Sequence, residues 1–344
     1  MKKLLLIGSN SIHIYNYIKL IEDYFDEILL LTNKKNEQYS VKGIEIDFHL
    51  GVNIITSIFK IKTIVKEYNP SVVHIHQANS YAFITLLALK NSNIPSLLTA
   101  WGSDVLVNPK ESFLLKKIVS YNLNHLTRAT SDSLFMANEM KSYNKSLKID
   151  IVNFGIKPIL LDLIDIKKEN IIYSNRLHNS LYNIGKVIQS FSNFSFNNPS
   201  WQLVIGAVGR ETEELKSMVR DLKIEDKVEF IGWVDSQVNE QMYQRSKIFI
   251  SIPSSDATAI SLLEAISYNC ICFVSNLPAN SEHILDGVNG FIEPDLDKID
   301  LEKYSQIDMK LLEDVNRVRS EKYLKEYNRE KFIEVYNTLL KGKL

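Results

Sequence analysis

The chain has 344 residues, of which 45% are hydrophobic and 24% are charged, and its formal net charge is −1. This length suggests two domains, because a typical domain has roughly 100–200 residues. The near-neutral charge gives no indication of nucleic-acid binding, and no apolar run reaches the roughly 18 residues of a transmembrane helix. The two cysteines, Cys270 and Cys272, alternate in an apolar run, so we predict buried free thiols.

Short apolar runs alternate with amphipathic stretches through the first half of the chain. The run at residues 3–7 is too short for a signal peptide and predicts a buried strand. This half is predicted to form strands at residues 3–7, 27–31, 44–50, 72–76, 96–100 and 149–152, and helices at residues 11–25, 56–68, 81–90, 112–126 and 134–143. Such alternation predicts a parallel sheet that is covered on both faces.

A stretch with one glycine, one proline and a run of charges interrupts the pattern at residues 154–169, where we predict an interdomain linker. The alternation then restarts. The second half is predicted to form strands at residues 171–174, 202–205, 228–231, 248–252, 271–275 and 291–293, and helices at residues 184–191, 212–222, 238–245, 258–268, 281–286 and from about 320 onward. Two open α/β sheets predict a ligand in the cleft between them, beyond the carboxyl ends of the strands.

Candidate site residues in the first half follow predicted strands. The loop after the first strand reads GSNSIH, without the GxGxxG pattern of a dehydrogenase. His13 in that segment faces the predicted cleft or is an ordinary surface histidine. His76 ends the strand VVHIH, and two histidines alone are a weak metal signal. Asp104 in the turn WGSD is suited either to bind sugar hydroxyls or to cap the turn.

The second half carries the stronger signals. Arg176 follows a strand, where a guanidinium is well placed to bind a diphosphate. Asp256 precedes a predicted helix, and Glu264 lies two turns into it. The helix start offers the backbone amides of Ala257, Thr258 and Ala259 to a phosphate. The alternative interpretation is a helix-capping aspartate with an exposed helix glutamate.

These pieces together resemble the retaining GT-B glycosyltransferases of the GT4 group, over nearly the whole chain. The order and spacing of the segments carry the resemblance, and the most specific pair is SDATAISLLEA followed by NGFIEP. The other matching segments are the first-strand loop with Gly8 and His13, VVHIH, WGSD, the Arg176 segment, EFIGWV and ANSEHILDG.

The resemblance implies an α/β fold of GT-B type, with two Rossmann-like domains facing across a cleft. Residues 1–155 would bind the acceptor, residues 165–319 would bind the nucleotide-sugar, and a helix at 320–344 would cross back to the first domain. Arg176 would face the donor diphosphate, Glu264 would hold the ribose, and Asp256 would lie beside the donor sugar. Gly232 and Glu282 would complete the donor site.

The chain departs from the family pattern at three positions. Asp256 stands in place of a glutamate, Asn183 lies near the position of an expected lysine, and Trp101 occupies the position of an expected histidine. His13, His76 and Asp104 are therefore predicted as catalytic candidates alongside Asp256, without an assigned role in the reaction.

The resemblance implies an enzyme that transfers a sugar from a nucleotide-sugar, with UDP as the default nucleotide, to a glycan or lipid-linked acceptor in bacterial surface polysaccharide or glycoconjugate synthesis. We expect no cofactor, no metal requirement and a cytoplasmic protein. The partly basic, amphipathic residues 112–126 are suited either to contact the inner face of a membrane or to pack in the ordinary way against the protein. Two alternatives are a non-catalytic nucleotide-sugar binding module and a GT-B sugar-nucleotide epimerase.

Overall fold

A computed structural model describes residues 1–157 and 167–341 of the chain. The chain divides into two compact units: Met1–Gly155 together with the segment that starts at Lys325, and Ile156–Leu324. Residues 158–166, most of the predicted linker, lie outside the described residues, as do residues 342–344 at the end of the predicted final helix. Within the described residues, no helix is both long enough and apolar enough to cross a membrane.

The first unit contains a seven-stranded parallel sheet in the order β3-β2-β1-β4-β5-β6-β7. Its strands are β1 Lys3–Ile7, β2 Glu27–Thr32, β3 Gly43–Glu45, β4 Val72–His76, β5 Ser96–Thr99, β6 Arg128–Ser131 and β7 Ile149–Ile151. Its helices up to Gly155 are α1 Ile12–Ile21, α2 Ile54–Tyr68, α3 Ser80–Ala88, α4 Ser103–Leu106, α5 Asn108–Glu111, α6 Phe113–His125 and α7 Leu134–Tyr143. The order reverses between β1 and β4, as in doubly wound folds.

The predicted strand at residues 44–50 is wrong over most of its length. The strand β3 ends at Glu45, because the side chain of Asp47 turns the chain. Its carboxylate accepts hydrogen bonds from the amide of His49 and the side chain of Asn53, both at 3.0 Å. The sequence prediction also missed the short helices α4 and α5, which are only four residues long and carry no periodicity.

The second unit contains a six-stranded parallel sheet in the order β10-β9-β8-β11-β12-β13. Its strands are β8 Glu169–Ser174, β9 Gln202–Gly206, β10 Val228–Gly232, β11 Ser246–Ser251, β12 Ile271–Ser275 and β13 Gly290–Glu293. Its helices are α8 Ile184–Asn197, α9 Thr212–Asp221, α10 Ser236–Arg245, α11 Ile260–Ser267 and α12 Met309–Ser320. Apolar side chains fill both faces of this sheet.

The last helix, α13 (Lys325–Lys341), belongs to the first unit. Its side chains Phe332, Val335, Tyr336 and Leu339 join the buried cluster that contains α1 and β1. The single helix predicted from residue 320 is instead preceded by α12 and a break at Leu324, whose backbone is extended. The predicted helix at residues 281–286 is a single 3-10 turn, Asn280–Glu282.

Candidate functional site

The strand order of the second unit reverses between β8 and β11, which are hydrogen-bonded neighbours. Loops that leave the carboxyl ends of such neighbours on opposite sides create a crevice for ligands. Hydrogen bonds join these loops: the Ser254 amide donates to the Leu181 carbonyl at 2.8 Å, and the Asn183 side chain donates to the Ile252 carbonyl at 2.8 Å. Asn183, near the position where the family pattern expects a lysine, therefore links the two loops.

Arg176 lies at this crossover and joins both loops. Its guanidinium donates to Asp256 Oδ2 at 2.6 Å and to Ser261 Oγ at 3.0 Å, and it lies over the ring of Tyr182 at 4.5 Å. The side chain is 13% exposed, and that of Asp256 is 22% exposed. Arg176 and Asp256, which were predicted separately as site residues, therefore form one partly buried ion pair.

The helix α11 begins a few residues after Asp256. Ala257, Thr258 and Ala259 are buried, and the first residue of the helix is Ile260, two positions later than predicted. The Ala257 amide donates to Asp256 Oδ1 at 3.0 Å, and the Thr258 hydroxyl lies 3.3 Å from Nε2 of His283. Burial lowers the pKa of that histidine to about 4, so it is neutral at pH 7.

Glu264 lies half-buried on α11, three residues after Ser261 and therefore on the same helix face. Burial raises the pKa of the Tyr243 phenol on α10, and the nearby Glu264 charge raises it further. Asn175, next to Arg176, donates to the same phenol oxygen at 2.7 Å. The sequence analysis assigned no role to Tyr243, Asn175 or Ser261, although Ser261 lies within the segment SDATAISLLEA and Asn175 directly precedes Arg176.

The other two predicted donor-site residues lie at or after the ends of strands that are not neighbours in the sheet, because β9, β8 and β11 lie between β10 and β12. Gly232 ends β10, and its φ of +71° with open space around the Cα position explains the glycine. Glu282 follows β12 in the 3-10 turn, and its carbonyl accepts from Arg319 at 2.8 Å.

In the first unit, His13, His76 and Trp101 come together. Their rings are 5.5 Å apart for His13 and Trp101 and 5.9 Å apart for His76 and Trp101. The indole of Trp101 donates to Nδ1 of His76 at 3.1 Å, so the neutral His76 carries its proton on Nε2. Within the described part of the chain, that nitrogen is buried without a hydrogen-bond partner.

Burial sets the protonation of these histidines. It lowers the pKa of His76 to about 3, and it lowers the pKa of His13, whose ring faces Trp101 and Phe154. His76 is fully enclosed, whereas His13 is partly shielded by these two rings but remains accessible to solvent. Of the two, His13 is therefore the one that a ligand reaches without rearrangement.

Asp104 is 2% exposed and fastens two loops of the first unit. Its carboxylate accepts from the Ala78 amide at 2.6 Å, after β4, and from the Trp101 amide at 3.0 Å, after β5. Burial raises its pKa, and these hydrogen bonds oppose the rise. The geometry corresponds to the turn-capping alternative that the sequence left open.

Comparison with known proteins identifies the class. Residues 2–133 match the family model described as Glycosyl transferase 4-like, and residues 162–331 match the one described as Glycosyl transferases group 1. The chain therefore belongs to the GT4-type glycosyltransferases of GT-B fold. The predicted fold class, two Rossmann-like α/β domains, and the predicted enzyme class are confirmed.

Individual relatives are distant. An uncharacterized glycosyltransferase of Methanocaldococcus jannaschii is 21% identical over 341 residues, which cover 94% of this chain and 89% of that protein. Poly(glycerol-phosphate) alpha-glucosyltransferase of Bacillus subtilis is 24% identical over 185 residues, 52% of this chain and 26% of that protein. The crystal structure of HepE from Anabaena in complex with UDP has a TM-score of 0.81 at 11% identity, covering 98% of this chain and 100% of HepE. HepE has also been solved with UDP and glucose and with UDP-glucose.

Proposed function

We propose that this glycosyltransferase uses a UDP-sugar donor, retains the anomeric configuration, and transfers to a glycan or lipid-linked acceptor in bacterial surface polysaccharide or glycoconjugate synthesis. The observation that carries the proposal is the Arg176 guanidinium, held at the β8/β11 crossover by Asp256 and Ser261. HepE, which has the same fold, binds UDP and UDP-glucose. The name of the B. subtilis relative, an alpha-glucosyltransferase, supports retention, because the glucose of UDP-glucose is also α-linked.

In the proposed reaction, the bond between the anomeric carbon and the diphosphate oxygen breaks, and negative charge develops on the departing UDP. Arg176 is fixed before the reaction and would stabilise that charge. The acceptor hydroxyl would bond to the anomeric carbon on the face that UDP leaves, and its proton would pass to the departing phosphate oxygen. Asp256 would contact the donor sugar and Glu264 the ribose diol. The proposed transfer requires no metal ion, so its rate should be unchanged by EDTA.

A nucleotide screen tests the donor. Thermal shifts with UDP-, GDP-, CMP- and dTDP-sugars should show the largest stabilisation with a UDP-sugar, since a ligand at one hundred times its Kd stabilises the folded state by about 2.7 kcal/mol. Arg176→Ala should abolish the shift and lower turnover by orders of magnitude. The matched control is Arg245→Ala, which breaks an exposed ion pair with Glu169 in the same unit and should change neither. A full UDP-sugar shift in Arg176→Ala would remove Arg176 from the site.

We further propose that α6 contacts an anionic membrane that presents the acceptor. Phe113 and Leu114 are 73% and 61% exposed at its first turn, and exposed Lys116 and Lys117 follow. Lys117 lies 4.6 Å from the Phe113 ring, so charge and apolar surface are contiguous. Such a combination suits insertion of the rings among lipid headgroups with the lysines at the phosphates.

Flotation with liposomes tests this contact. The protein should float with vesicles containing phosphatidylglycerol and remain behind with purely zwitterionic vesicles. Phe113→Ser combined with Leu114→Ser should abolish flotation. Phe196→Ser provides the control, because Phe196 is 87% exposed on the second unit and should be dispensable. Equal flotation of the wild type and the double variant would contradict the contact.

A further inference from the structure

A second arginine lies on the loop that follows β9. This loop, residues 207–211, leaves the carboxyl end of β9, which is the hydrogen-bonded neighbour of β8 in the sheet. The side chain of Arg210 on this loop is 76% exposed, and its Nη2 donates to the Ser180 hydroxyl at 3.3 Å. Ser180 belongs to the loop that carries Arg176, so the two arginines lie on adjacent loops at one edge of the sheet.

The two loops are fastened to each other by His178, which is 1% exposed. Its Nε2 donates to the Gly206 carbonyl at 3.2 Å, and its Nδ1 lies 2.8 Å from the Thr212 hydroxyl. Gly209 packs so closely against His178 that a Cβ atom on this glycine would lie 2.2 Å from the histidine carbonyl oxygen. The backbone that carries the second arginine is therefore fixed against the loop of the first.

Both arginines contact the same short 3-10 turn, Ser180–Tyr182. Arg176 lies over the ring at the end of this turn, with 4.5 Å between guanidinium and ring centre, and Arg210 bonds to its first residue. A 3-10 helix rises about 2 Å per residue, so the backbone at the two ends of the turn is separated by about 4 Å along its axis. Because the Arg210 side chain is long and exposed, its guanidinium can reach a diphosphate that is bound at Arg176.

The charge balance at the β8/β11 crossover favours a further cation. The charge of Arg176 is offset by Asp256 at 2.6 Å, whereas the diphosphate of a nucleotide carries more than one negative charge at pH 7. Lys186, in the first turn of α8, is already in an ion pair of 2.8 Å. The Nε of Arg210 lies 4.0 Å from the Glu211 carboxylate, which is the outer limit of an ion pair, so this guanidinium is the more available of the two cations.

We propose that Arg210 is a second binding residue for the diphosphate of the donor and supplies positive charge beyond that of the Arg176–Asp256 pair. The inference rests on the proposed function, in which Arg176 faces that diphosphate. On donor binding, the Arg210 guanidinium would exchange the Ser180 hydroxyl for a phosphate oxygen, because a hydrogen bond between two charged groups is stronger than one to a neutral hydroxyl.

Arg220 on α9 provides a matched control. This helix begins at Thr212, beyond the carboxyl end of β9, and its ten residues span about 15 Å. Arg220 in its last turn is exposed and lies toward the opposite edge of the sheet. Arg210→Ala and Arg220→Ala therefore each remove one exposed positive charge from the same unit, and only the first change removes it from the proposed donor site.

The experiment measures the Kd of UDP by calorimetry and the Kd of uridine, which lacks the phosphates, by displacement of UDP. Arg210→Ala should weaken UDP binding about tenfold in about 0.1 M salt and leave uridine binding unchanged. Arg210→Lys, which keeps the charge, should retain most of the UDP affinity, and Arg220→Ala should retain all of it. Raising the salt to about 1 M shortens the Debye length from about 10 Å to about 3 Å and should shrink the effect of Arg210→Ala to about twofold.

Each failure has a different meaning. Wild-type UDP affinity in Arg210→Ala would overturn the role of Arg210 and leave the UDP donor intact. Equal losses for UDP and uridine would also overturn it, because the arginine would then act on the nucleoside or on the loop rather than on the diphosphate. A wild type that binds no UDP would overturn the proposed donor, and the role of Arg210 with it.

Discussion

The Asp256 carboxylate lies 2.6 Å from a guanidinium nitrogen of Arg176 and offsets its charge. Replacing it by asparagine keeps the shape and removes the negative charge. That charge repels a nearby anion by about 1 kcal/mol in a water-like medium. We therefore expect Asp256→Asn to bind UDP several-fold more tightly and to turn over at least a hundredfold more slowly, because the proposed contact of Asp256 with the donor sugar would be impaired.

Calorimetry with UDP and steady-state kinetics with the donor measure these two effects separately. The control is Glu169→Gln, which removes the carboxylate from the exposed Arg245 pair and should alter neither quantity. Weaker UDP binding by Asp256→Asn would show that Asp256 supports the anion site rather than offsetting it.

The same pair shows what residue-level reasoning can predict. Arg176 and Asp256 were each selected from their place beside a strand or a helix start, yet they are 80 positions apart, so their ion pair required the structure. Tyr243 was assigned only to a helix, because a tyrosine on an amphipathic helix carries no signal until its hydroxyl is placed. Asp104 is the converse case, since its motif is compatible with two roles and only burial distinguishes them.

Most elements with strong periodicity or a continuous apolar run were predicted within a few residues, whereas α8 extends six residues beyond its predicted end at residue 191. The strands β1 and β4 match the prediction end to end, as do the helix α7 and the strand β12. Elements fixed by individual side chains were not predictable in this way. The three-residue strand β3 ends where Asp47 turns the chain, and α12 begins with the Asp308 side chain accepting from two amides.

The strand β4 makes a prediction about pH, because it carries two neutral, fully buried histidines. Burial lowers the pKa of His74 well below its usual value and that of His76 to about 3. In the unfolded chain a histidine has a pKa of about 6.5. Between these values the unfolded chain binds protons that the folded chain excludes, so the free energy of unfolding should fall as the pH decreases from about 6.5 toward 3.

Urea denaturation of His76→Gln isolates the contribution of one histidine. Below pH 6, the difference in the free energy of unfolding between wild type and variant should change by up to about 1.4 kcal/mol per pH unit. The variant should lose stability less steeply on acidification. Replacing the exposed His125 by glutamine should leave the slope as in the wild type. Identical slopes for wild type and His76→Gln would indicate that water reaches the ring in the folded state.

On the scale of the whole molecule, the first structural unit is built from two separate stretches of the chain. The first unit consists of Met1–Gly155 and α13, whereas the second is the continuous segment Ile156–Leu324. In α13 the Tyr336 hydroxyl lies 2.6 Å from Nδ1 of His74 and 2.7 Å from the Tyr17 hydroxyl, which ties the end of the chain into the first core. A chain that ends at Leu324 would leave that core open, so its first unit should lose cooperative unfolding.

The continuous segment gives the complementary prediction. The contacts of the proposed donor site, from Arg176 to Asp256 and Ser261 and from Asn175 to Tyr243, lie within residues 156–324, and this segment has its own sheet with a core on both faces. Expressed alone, it should fold, bind UDP with a Kd within about tenfold of the full chain, and transfer no sugar. Calorimetry compares the two proteins, with Arg176→Ala in the segment as the control that should bind no UDP. If residues 156–324 contain the complete nucleotide site, UDP binding needs nothing from the remainder of the chain. A folded segment without UDP affinity would therefore mean that residues outside 156–324 form part of that site.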